Sequence, residues 1–190
     1  MTVHVGVHAE ATATLSGWSA PTAAQADLRD HYLAVLAVHP DATCRSCWPE
    51  HLTAGAIVFD PTMTRVALVL HGKVNVWLQP GGHVEDGDER LMNTAIREAE
   101  EELGLSGLEP LLETPTSLHR HSAPCRPPGT EPAGFHLDVA FALIATAGTD
   151  LAASEESHDV GWFAVDRLPD PYPADLRTRV DHALSAAPRR

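Results

Sequence analysis

Positive charge is scarce in this sequence: 13 lysines and arginines stand against 26 aspartates and glutamates, a net charge of −13. That deficit argues against non-specific binding to nucleic-acid polymers or to anionic membrane surfaces. It does not exclude a nucleotide substrate, because a bound cation reverses the local sign. Long apolar runs are also missing. None approaches the length that crosses a bilayer, and the N-terminus lacks a signal-peptide core, so the expected location is cytoplasmic, without membrane contact. Cysteine is sparse, and three is an odd number. This fits a reducing compartment better than a disulfide framework. No internal repeat is present. The 190 residues suffice for one domain with a good core and an added helix.

The most informative stretch runs from Gly81 to Leu105 and reads as a glycine loop feeding a helix. Asp88 is the expected N-cap, its carboxylate accepting from first-turn N–H groups. Gly104 stands where a helix ends in a left-handed residue. Between them Leu91, Met92, Ala95, Ile96, Ala99 and Leu103 form one apolar stripe. Glu98, Glu101 and Glu102 fall within roughly 100° of one another beside it. This is a poor arrangement for a helix as such. Glu98 and Glu102 repel at i,i+4, and acids crowd the negative end of the macrodipole. Two readings fit the spacing: a solvated acidic face, with Arg97–Glu101 as a surface pair, or a site for a hard divalent cation, which takes oxygen ligands.

The stretch resembles the Nudix box, the signature of the Nudix hydrolases. The segment Arg97-Glu98-Ala99-Glu100-Glu101-Glu102-Leu103-Gly104-Leu105 matches that pattern at every defined position. The first half departs twice: Asp88 replaces a glutamate, and one extra residue separates it from Arg97. With its flanks the resemblance extends over about Leu52 to Leu168.

The rest of the chain supplies further elements. Met1 to Gly17 is weakly patterned and expected to be loosely ordered. Ser19 or Thr22 is placed to cap a helix over about Ala23 to Val38, ended by His39-Pro40. This helix fits both an element packed on the main domain and a homodimer contact. Residues 1–48 are thus expected to form an N-terminal extension, and 49–190 the main domain. Cys44 and Cys47 read either as ordinary thiols or as half a zinc site completed by Cys125, His119 or His121. Ala54 to Phe59 and Val66 to Leu70 read as a hairpin, with Lys73 to Leu78 a third strand. Gln79-Pro80-Gly81-Gly82 breaks it. Leu108 to Leu112 and Thr116 to His121 are expected to be extended, and Ser122 to Gly134 a long loop, either a lid or a surface excursion. Phe135 to Ala147 is the clearest strand, with His136 and Asp138 on one face. If it pairs with the strand carrying His119 and His121, a histidine-rich patch results. Ser154 to Phe163 is similar to the acidic loop and Trp-Phe strand of many Nudix proteins. Ala174 to Ala186 closes the chain as a helix.

The resemblance implies an α/β fold, the Nudix α/β/α sandwich with a mixed sheet, plus the added N-terminal helix. It implies a Mg²⁺- or Mn²⁺-dependent hydrolase of a nucleoside diphosphate linked to another group. Glu98, Glu101, Glu102 and the Gly81 carbonyl are the implied metal ligands. Arg97 would orient a glutamate, and Glu98 or Glu156, with Glu155 as neighbour, would take the proton from water. Lys73, His119 and His136 are candidate substrate contacts. Two other classes share the fold: a non-catalytic nucleotide-binding or regulatory module, and a diphosphate isomerase of the isopentenyl type, which needs an active-site cysteine. No marker beyond the box selects among ADP-ribose, nucleotide sugars and oxidised nucleoside triphosphates.

Overall fold

A computed structural model describes residues 4–123, 125, 134–145, 150–154 and 157–188. Two helices come first, α1 (Val5–Gly17) and α2 (Ala23–Val38). The expectation of a loose N-terminus is corrected. Val7, Ala11 and Leu15 recur at i, i+4 and i+8 and are all buried, so tertiary packing holds α1 although no side chain caps it. Thr22 caps α2 by accepting from the Gln25 N–H at 3.2 Å.

The sheet is built on β1 (Glu50–Phe59), whose ten residues are all buried. That is the mark of a central strand covered on both faces. β7 (Gly134–Ile144) runs parallel to it along its whole length, from Glu50 opposite Phe135 to Phe59 opposite Ile144. Every other pairing in the mixed sheet is antiparallel. On its other side β1 meets two strands in succession. β4 (Gly81–His83) pairs with its first half, and β2 (Arg65–His71) with its end. β2 also pairs with the short β3 (Trp77–Leu78) and with β8 (Ser157–Ala164). Beyond β7 lie β6 (Ser117–Ala123) and β5 (Glu109–Pro110).

Two expected elements differ. The third strand shrinks to Trp77 and Leu78, because the chain turns through Asn75 at φ +52°. The glycines read as a break instead form β4. Gly81 lies opposite Gly55, and a Cβ on Gly81 would come within 2.6 Å of the Gly55 Cα. Only two glycines let the strands approach there.

Helices cover both faces. The β1 residues Leu52, Ala54, Ala56 and Val58 share one core with α1, α2 and α3 (Leu91–Leu103). Ile57 and Phe59 point the other way, onto α4 (Leu176–Ala186). The stripe expected on α3 is the one buried: Leu91, Met92, Ala95, Ala99 and Leu103. Each of its larger apolar side chains contributes roughly 1.5–3 kcal/mol. Gly104 ends the helix at φ +66°. Among the described residues, no helix is long and apolar enough to cross a membrane.

Candidate active site

The apolar stripe of α3 faces the sheet, so its acidic side lies over β4. Gly81 N–H donates to Glu102 Oε2 at 3.1 Å. A Cβ on Gly82 would lie 2.4 Å from the Glu98 carboxylate, so only glycine admits that side chain. Glu98 and Glu102, one helical turn apart, therefore both rest on the Gly81–Gly82 backbone. Glu101 points further out and is exposed. Burial raises the Glu98 pKa above the ordinary glutamate value, Glu101 and Glu85 add to that, and Arg97 opposes it without cancelling it. Negative charge on Glu98 is thus held where solvent does little to disperse it.

Arg97 ties this helix to the preceding loop. Its Nη2 donates to the His83 carbonyl at 2.8 Å and to Asp88 Oδ2 at 3.0 Å. Its Nη1 donates to Glu98 Oε1 at 3.0 Å and to Glu101 Oε2 at 3.3 Å. The expectation that Asp88 is the N-cap is corrected. Arg90 occupies that position, without a side-chain cap. Asp88 instead accepts from Arg97, from the Thr94 hydroxyl at 2.9 Å and from the Glu85 N–H at 3.0 Å. Burial works against its charge, but these donors hold its pKa below the ordinary aspartate value. The extra residue before Arg97 displaces Asp88 from the cap and lets it brace the loop.

A cleft of about 350 Å³ opens beside Glu102, lined by Val69, His71, Gly72, Lys73, Ser157 and His158. Its volume suits a small ligand. Of its lining residues, Lys73 and Glu102 are the ones expected at the site from the sequence. His71 and Ser157 arrive together because β2 pairs with β8, the register shifting after Leu70 so that His71 lies opposite Ser157. Glu155 and Glu156 lie outside the described residues, as does most of the segment from Ser122 to Gly134.

The other singled-out side chains gather on the face of the sheet that carries α4. His119 Nε2 is 3.2 Å from Asp175 and its ring stacks on His121. His136 sits among His51, His83 and His121, with ring centroids 4.9–5.1 Å away. Burial, reinforced by the neighbouring imidazoles, lowers the pKa of His83 to about 4 and that of His136 to about 3. Strand alternation had marked His119, His121 and His136. His51 and His83 went unnoticed, since nothing local shows that β1 and β4 lie beside them. The expected zinc set is not assembled either: Cys125 approaches His83 Nε2 at 3.6 Å, away from the pair Cys44 and Cys47. Burial and Asp41 push the Cys47 thiol up to about 12, which leaves it a poor nucleophile.

The model of the NUDIX domain family matches residues 49–183. The chain belongs to the Nudix family. Solved structures agree in fold. A NUDIX-family hydrolase from Clostridium perfringens is 21% identical, with a TM-score of 0.56 over 71% of this chain and 96% of that one. An ADP-ribose pyrophosphatase from Streptococcus suis is 19% identical, with a TM-score of 0.51 over 73% and 93%. An Ap4A hydrolase from C. elegans is 16% identical, with a TM-score of 0.50 over 70% and 95%. No curated protein matches the chain.

Proposed function

We propose that this protein is a divalent-cation-dependent hydrolase that cuts the diphosphate of a nucleoside diphosphate linked to another group. The observation that carries this reading is the placement of Glu98 and Glu102 on the Gly81–Gly82 backbone, with Glu102 lining the Lys73 cleft. The donor set fits Mg²⁺ or Mn²⁺: carboxylate oxygens, crowded and partly desolvated, with too little positive charge nearby. Glu98, Glu101 and Glu102 would hold the cation, with the Gly81 carbonyl. When bound, it supplies neutralisation of phosphoryl oxygens and a more acidic water.

The protein's own groups do the rest. Arg97 fixes the Glu98 and Glu101 carboxylates through charge-assisted hydrogen bonds. Lys73 meets a substrate phosphate as a point charge. Glu156 accepts the proton of the attacking water, since it precedes Ser157 and His158 at the cleft wall. The protein would work in the cytoplasm, where such substrates and the cation are available.

A panel of ADP-ribose, nucleotide sugars, Ap4A and oxidised nucleoside triphosphates, each with Mg²⁺ and with Mn²⁺, tests the proposal. The relatives that act on ADP-ribose and Ap4A make these two the first to try. The expected result is cation-dependent release of two phosphorylated products from at least one substrate. Tight binding without turnover across the panel would favour a regulatory module instead.

A further inference from the structure

His51, His83, His136 and Cys125 offer four ligand atoms that all lie within 4.8 Å of one another. They come from four separate places: β1, β4, β7 and the stretch just after β6. Three details of the geometry go beyond a chance cluster. First, His83 Nε2 is 3.2 Å from His51 Nε2 and 3.6 Å from Cys125 Sγ. Ligands at the usual Zn–N and Zn–S distances on a tetrahedron are spaced about 3.3 Å (N to N) and about 3.6 Å (N to S). Second, His51 Nδ1 lies 3.0 Å from the Cys47 carbonyl. Donation to that carbonyl fixes the tautomer and leaves Nε2 as a bare lone pair aimed at the cluster, the outer contact that metal-bound histidines usually make. Third, the buried His136 Nε2 has no hydrogen-bond partner among the described residues. A buried imidazole nitrogen with none is costly unless something else occupies it.

We propose that His51, His83, His136 and Cys125 form a second metal site, tetrahedral, for a zinc-class transition ion. Three nitrogens and one sulfur suit such an ion, whereas Mg²⁺ takes oxygen. Four protein ligands close the coordination sphere, so the site is structural rather than catalytic. It would pin β4 to β1 and β7. Because β4 also carries Gly81 and Gly82, the ion would steady the backbone on which Glu98 and Glu102 rest. The proposal is independent of the substrate assigned above.

The test uses the full chain, stripped with chelator and then titrated with Co²⁺ in excess Mg²⁺, which keeps the glutamates occupied. One equivalent of Co²⁺ should bind, giving the intense visible bands of tetrahedral cobalt and a thiolate-to-cobalt charge-transfer band. Cys125→Ser should remove the charge-transfer band, and His136→Asn should weaken binding at least tenfold. Glu102→Gln should leave both signals unchanged. Zn²⁺ alone should displace the cobalt and raise the melting temperature of the stripped wild-type protein. Circular dichroism confirms that each variant is folded, and Cys125→Ser serves if His136→Asn is not. Absence of a thiolate band would overturn the site. So would a band that survives Cys125→Ser and is lost in Cys47→Ser, which would place the ion with His39, Asp41 and Cys47.

Discussion

The Glu98 carboxylate occupies the space that a side chain on Gly82 would need: a Cβ there would lie 2.4 Å from it. Gly82→Ala should therefore push Glu98 off β4 while leaving the remainder of the fold intact. Misplacing a catalytic group by about an ångström costs on the order of 10²-fold in rate. The expected outcome is a fall of that size in kcat, with weaker Mg²⁺ activation and an unchanged circular dichroism spectrum. Kinetics within a few-fold of wild type would show that the position of Glu98 is unimportant.

Glu101→Gln and Glu102→Gln should each abolish most turnover without loss of stability. A glutamine at 102 still accepts from the Gly81 N–H. At 101 the lost partner of Arg97 is an exposed one, worth under about 1 kcal/mol. Removing one of the crowded charges relieves repulsion, so the metal-free melting temperature should hold or rise. Mg²⁺ titrations of activity, beside thermal melts in chelator, read both effects.

Asp88→Ala should destabilise the protein more than the loss of a helix cap would. Its side chain is 7% exposed and is held by Arg97, Thr94 and the Glu85 N–H. Removing it strands these donors, at about 1–3 kcal/mol or somewhat more. Because the folded pKa is lowered, the charged form contributes stability above the ordinary aspartate value of about 3.9. That contribution fades as the pH falls through the lower folded value. Urea denaturation of both proteins at pH 7 and in the acid range should show the gap narrowing on acidification.

Glu156→Gln should lower kcat by roughly 10²–10⁴-fold, the range for a lost general base. Glu98 is the rival, but a carboxylate bound to a cation is a weaker base. Mg²⁺ affinity should change little in the Glu156 variant. Turnover within a factor of a few of wild type would return the role to Glu98 or to Glu155.

What the sequence by itself determined is local. The buried stripe of α3, its end at Gly104 and the glutamates beside that stripe all follow from helical periodicity and one left-handed glycine. The long strand from Gly134 shows in its alternation, and the box residues place the chain in its family. Even α1 was legible in principle, in the spacing of Val7, Ala11 and Leu15, but a helix without polar–apolar contrast is recognised only once its neighbours cover it.

Tertiary structure decided what lies between distant residues. Arg90, not Asp88, precedes α3, because Arg97 draws the Asp88 carboxylate away into the loop. Gly81 and Gly82 form a strand rather than a break because Gly55 lies opposite. The four-ligand cluster depends on the parallel register of β1 and β7, which sets His51 beside His136, and on the pairing of β4 with β1, which brings His83. A residue's own neighbours reveal which face of a strand it occupies. Which strand lies alongside depends on long-range pairing, and that is set by burying the whole sheet at once.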